Sequence, residues 1–175
     1  MTAVVSITAP TTPATEASEG RLRWGSGIMA VAGLGFVGYA VLFFVRNFTD
    51  SFLELGIGHN EVDVGKDEIQ AFSPDLYDCV SHLHIAVSGF IAATGLAVAA
   101  LAWFGVRRRQ MWAWVTAVVA PVVGLAVALP AHYPNDFDTV GHLGLIYADT
   151  VLFVVGALLA LTSLREGPAT ARSQP

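Results

Sequence analysis

Five histidines and one carboxylate carry most of the chemistry this chain can offer. His59, His82, His84, His132 and His142 all fall in connections or at the mouths of long apolar runs, and Asp149 lies inside the last run. Imidazole can bind metals, carry protons near neutral pH and hydrogen-bond a polar head group. A carboxylate within an apolar span is disfavoured by about 2.5–3.5 kcal/mol on insertion scales, so it should be protonated, paired or hydrated. His142, Asp149, Gly156 and Ser163 recur every seven residues and form one polar and small stripe among Leu, Val and Phe. On a helix that spacing puts Asp149 roughly 10 Å deeper than His142. Tyr39 in the first apolar run is a candidate partner at similar depth, as are Tyr147 and His82.

The elements that must position these groups are membrane helices. Hydrophobic residues make up 54% of the 175-residue chain and charged residues 13%, about half the charged share usual for a soluble domain. Four stretches reach the roughly 20 apolar residues that span a bilayer: 24–45, 83–106, 111–131 and 140–164. The fold class expected is therefore an all-α membrane bundle of four transmembrane helices, occupying 21–165, with an outer loop at 46–82. Residues 1–20 are rich in Thr, Ala, Pro and Ser and read as a disordered tail, as do 166–175. The first twenty residues also lack the basic and apolar regions of a cleavable signal, so the first span is expected to be a retained anchor.

Charge orients the bundle. Seven of the nine basic residues (Arg21, Arg23, Arg107, Arg108, Arg109, Arg165 and Arg172) lie on one side, and ten of the fourteen acids lie in the two connections on the other. Short Lys/Arg-rich segments stay cytoplasmic, which places both termini inside the plasma membrane and the histidine-bearing pole outside. The basic residues are few and explained by topology, so nucleic-acid binding has no support.

Small residues suggest which faces look inward. Gly89, Ala93 and Ala97 recur every four positions in the second span, and Ala120, Gly124 and Ala128 do so in the third, where Pro121 should introduce a kink. On this reading His82 heads the packed stripe and His84 points nearly the other way. In the outer loop, Phe48, Phe52 and Leu55 have helical spacing, Gly56, Gly58 and Gly65 interrupt regular structure, and Ser73-Pro74-Asp75 reads as a helix start. The loop is either a simple connector or a cap over the outer mouth. The turn 130–138 holds His132 and Asp138, which can lean toward His142. The single cysteine, Cys79, cannot run an intrachain dithiol–disulfide cycle.

The runs His82-Leu83-His84 … Gly89-Phe90 … Gly95, Arg107-Arg108-Arg109-Gln110-Met111-Trp112-Ala113-Trp114 and His132-Tyr133 … Phe137-Asp138 … Gly141-His142 resemble those of small four-helix membrane proteins of actinobacteria, similar in architecture to the DoxX-like group. The resemblance covers about 80–175. It implies a plasma-membrane four-helix bundle and carries no residue-by-residue activity.

Three functional classes follow from the residues. The first is an outward-facing site formed by His82, His132, His142, Asp149 and Tyr39, with His142 and Asp149 as the proton-handling pair. It would bind a small lipophilic molecule, quinone- or isoprenoid-like, or move protons. The second is haem or metal ligation by His82, His84, His132 and His142, although no HxxxH or HExxH spacing is present. The third is a non-catalytic subunit, a homo-oligomer or part of a larger membrane complex, or a proton-coupled transporter. The sequence names no cofactor.

Overall fold

The computed structural model describes residues 13–50 and 56–166, and among them there are helices and turns but no strand. Four helices are long and apolar enough to cross a membrane: Pro13–Thr49, Pro74–Arg108, Met111–Ala131 and Val140–Glu166. The fold is a bundle of α1 (Pro13–Thr49), α2 (Lys66–Phe72), α3 (Pro74–Ala100), α4 (Met111–Ala128) and α5 (Val140–Glu166). Thirty-seven residues give α1 a length of about 55 Å, well beyond the hydrocarbon thickness. It begins at Pro13, inside the segment expected to be a disordered tail. Ser18 in that stretch is buried and bonds Ser163 of α5 across 3.0 Å. That contact, and the ion pair of Arg21 with Glu166, tie the chain ends together.

The bundle is organised around α1, which packs along both α3 and α5. Glycines set the approach. A Cβ on Gly25 would lie 2.5 Å from the Ala160 nitrogen, and one on Gly33 would lie 2.7 Å from both the Ala99 nitrogen and the Gly95 oxygen. In lipid there is no hydrophobic drive between helices, so such backbone approach supplies the packing energy. The stripe expected on α3 is not the one used. Gly89, Ala93 and Ala97 are exposed, and His84, Ser88, Gly95, Val98 and Ala102 face inward.

Helix α3 runs on through a π-helical turn at Leu101–Gly105 and a 3₁₀ turn at Val106–Arg108, and Arg109 takes the left-handed conformation at φ 62°. Gly105 lies directly against the Ala113 side chain, closing a tight hairpin into α4. The first half of α4 is then anchored. Ala113 and Ala117 are fully buried, the Trp114 indole N–H donates to the Ala157 carbonyl at 3.0 Å, and Arg109 donates to the Ser163 carbonyl at 2.7 Å. This end, with Leu22, Met29, Ala102, Val106 and Ala160, holds the hydrophobic core. Past Ala117 no residue of α4 is buried, and Ala120, Pro121, Gly124, Leu125 and Ala128 line the space described below.

At the other pole, Ser73 caps α3 as expected, accepting from the Leu76 N–H at 3.3 Å, with Pro74 in the first turn. The short helix α2 was not anticipated. The Gly65 N–H that precedes it donates to Glu68 at 2.9 Å. Its first residue, Lys66, donates to the carbonyls of Arg46 and Asn47 in the last turn of α1 at 3.3 and 2.9 Å. Partial burial holds the Lys66 ammonium below the usual lysine range, with Asp50 and Asp67 opposing that shift. Phe52 and Leu55 lie outside the described residues. Lys66→Met should remove both capping bonds and lower the melting stability by about 1 kcal/mol. Thermal unfolding of the two proteins in the same detergent checks this.

Candidate functional site

Asp149 lies on α5 facing α1, where the opposing residue is Gly35. A Cβ at Gly35 would fall 2.5 Å from the Asp149 Oδ1, so the absence of a side chain there makes room for the carboxylate. Among the described residues, no hydrogen bond or ion pair reaches that carboxylate. It looks instead into a cavity of about 680 Å³ walled by all four long helices. Small-molecule sites commonly run from about 300 to 1,000 Å³. Tyr39, one turn beyond Gly35, lines the same space. Ala120, Gly124 and Ala128 of α4 also line it. The small stripe of α4 therefore faces a void and does not seal a helix contact, and nothing lies within 4 Å of where a Gly124 Cβ would sit.

A second apolar cavity of about 250 Å³ continues toward the core, and Phe36, Thr94, Pro121, Leu125 and Asp149 line both. Asp149 thus marks the junction of the two spaces. Pro121 sits at the same level, inside a helix that continues through it.

The histidines do not converge on this chamber. His132 and His142 do come together, with ring centroids 5.0 Å apart and planes tilted by 31°. Nδ1 of His132 donates to the Ala128 carbonyl at 2.9 Å, which fixes its ring against the end of α4. His142 is 2% exposed. The α5 start is capped by Thr139, whose hydroxyl accepts from the His142 N–H at 3.2 Å. Asp138, in the turn before it, is exposed. Gly56, in the left-handed region at φ 72°, lies against the Gly141–His142 backbone so closely that a Cβ would overlap it. The loop before α2 therefore covers the N-terminal end of α5, as a cap would.

His84, expected to face away, is 6% exposed. Its Nε2–H donates to the Phe43 carbonyl at 2.9 Å, and its ring stacks on Phe43 at 3.7 Å. His82 is exposed, as is His59. Tyr147 pairs with Tyr133 through their hydroxyls at 2.9 Å, so it is occupied away from Asp149. The four-histidine set weighed for metal or haem is thus dispersed. Among the described residues no three His, Cys, Asp or Glu side chains group so as to hold a metal ion. The outer site read from the sequence separates into an exposed His82, a covered His132–His142 pair and a chamber with Asp149 and Tyr39.

Sequence reasoning passed over Gly35 and the inward face of α3. A signal for the latter existed, because His84, Ser88, Gly95, Val98 and Ala102 keep the steps of four, seven, three and four that one helix face requires. Comparison with protein-family models, curated proteins and solved structures finds no match to the chain.

Proposed function

We propose that this is a multi-pass plasma-membrane protein, with both termini cytoplasmic, whose bundle binds a small lipophilic molecule at Asp149. The observation that carries the reading is the 680 Å³ apolar chamber with the Asp149 carboxylate in its wall. Apolar walls with one convergent polar group are how membrane-soluble ligands are held and oriented. A quinone- or isoprenoid-like body matches the lining, and Asp149 and Tyr39 address its polar end. The basic residues gathered at the core end support the orientation.

The direct test is mass spectrometry of lipids that co-purify with the protein in nanodiscs. A bound lipophilic species should be found in stoichiometric amounts, and Asp149→Asn should lower its occupancy roughly tenfold through loss of a charged hydrogen-bonding group. Equal occupancy in both proteins would remove Asp149 from the site. Orientation has its own test, since Cys79 is exposed near the histidine-bearing end of α3. A membrane-impermeant maleimide should label Cys79 in intact cells; labelling only after permeabilisation would invert the topology.

A further inference from the structure

We propose that the head group bound at Asp149 is a cation, so that the chamber takes lipophilic cations such as amphiphilic amines. This rests on the ligand-binding reading above, keeps its lipophilic body and replaces a neutral quinone-type head group with a cationic one. The argument turns on what the walls offer a polar group. Among the described residues Asp149 is the one charged side chain lining either cavity. The hydrogen-bond donors nearby are committed elsewhere. Thr94 donates to the Phe90 carbonyl at 2.9 Å, Thr150 to the Ile146 carbonyl at 2.7 Å and Trp114 to the Ala157 carbonyl at 3.0 Å. No Arg, Lys or His lines the space. A phosphate needs several donors and a counter-charge, and this lining offers only the Tyr39 hydroxyl and, when it is protonated, the Asp149 carboxyl, whereas the ionised carboxylate is an acceptor alone.

A cation needs the reverse, and the walls supply it. The carboxylate gives a counter-charge in a surrounding of low dielectric, where an ion pair is far less screened than in water. Phe36, Tyr39 and Phe90 line the same chamber, and aromatic faces attract cations within about 6 Å of a ring centroid. Phe36 also lines the inner cavity, so an apolar body can extend there while the charge stays beside Asp149 at the junction. The absence of a side chain at Gly35 keeps the carboxylate directed into the space it would share with the cation.

Isothermal titration calorimetry on the full chain in detergent, with tetraphenylphosphonium as the cationic probe and menadione as the neutral quinone probe, tests this. The cation should bind saturably, and Asp149→Asn should weaken it by roughly thirtyfold, the usual loss when one partner of a sequestered charge pair is removed. Asp149→Glu, which keeps the charge, should retain binding. Unchanged cation affinity in Asp149→Asn overturns the proposal. So does saturable binding of menadione by the wild-type protein without binding of the cation, a result that leaves the broader ligand-binding reading standing. Binding of neither probe, with no lipophilic species co-purifying, overturns both. Should Asp149→Asn fail to give a folded, monodisperse protein, the wild-type comparison of the two probes decides alone.

Discussion

Gly33→Leu should prevent the bundle from assembling. The substituted Cβ would lie 2.7 Å from two backbone atoms of α3, the Ala99 nitrogen and the Gly95 oxygen, and the reciprocal Cβ on Gly95 would lie 2.5 Å from the Gly33 oxygen. Neither neighbour is a flexible side chain that can swing aside, so relief requires α1 and α3 to separate along their length. Overpacking in a well-packed interior costs about 1–3 kcal/mol, and more where backbone must move. A membrane bundle has no hydrophobic force between helices to offset that loss. We expect loss of more than about 3 kcal/mol, seen as aggregation on size exclusion or a collapsed thermal transition. Gly27→Leu is the control, since nothing lies within 4 Å of its added carbon. Equal stability of the two variants would show that the α1–α3 contact does not hold the fold.

This expectation exposes why some of the architecture was legible in the sequence and some was not. The four spans stand out because polar and charged residues are excluded from long runs, and that exclusion follows directly from the cost of placing them in hydrocarbon. The start of α3 was legible for a local reason, the Ser73-Pro74 cap. The approach of His132 to His142 was readable from the short proline-bearing turn between them. The inward faces were not legible, because the outside of a membrane helix is as apolar as its inside and amphipathicity no longer marks the core. On α3 a run of Gly89, Ala93 and Ala97 looked like the packed face, yet His84 with Ser88 is buried there and His82 is exposed. The chamber was out of reach for a different reason. Its walls come from all four long helices, with α4 contributing residues past the buried Ala113 and Ala117, and a void is a property of four helices together. The carboxylate that overlooks it was legible; the glycine opposite, Gly35, was not.

The same separation of poles leads to an effect at the histidine-bearing end that should leave the chamber intact. Gly56→Val combines two penalties. The residue sits at φ 72°, where an L side chain costs about 1–2 kcal/mol. Its Cβ would also overlap the Gly141 carbonyl group and the His142 nitrogen, which are backbone atoms of a capped helix start. The loop between α1 and α2 has the easier path: it can lift away, because the hydrophobic core lies at the opposite end around Leu22, Val106 and Ala113. The outcome expected is therefore local opening, since regions remote from the core open at lower free energy than the whole. Hydrogen exchange should accelerate at 141–143, and His142, now 2% exposed, should become modifiable by diethyl pyrocarbonate. Gly56→Ala should show the same change in weaker form. Neither Gly56 nor His142 lines the chamber, so ligand occupancy at Asp149 should stay as in the unsubstituted protein. A fall in occupancy would mean that the cap and the chamber are coupled, and unchanged exchange at 141–143 would mean that the loop does not cover α5.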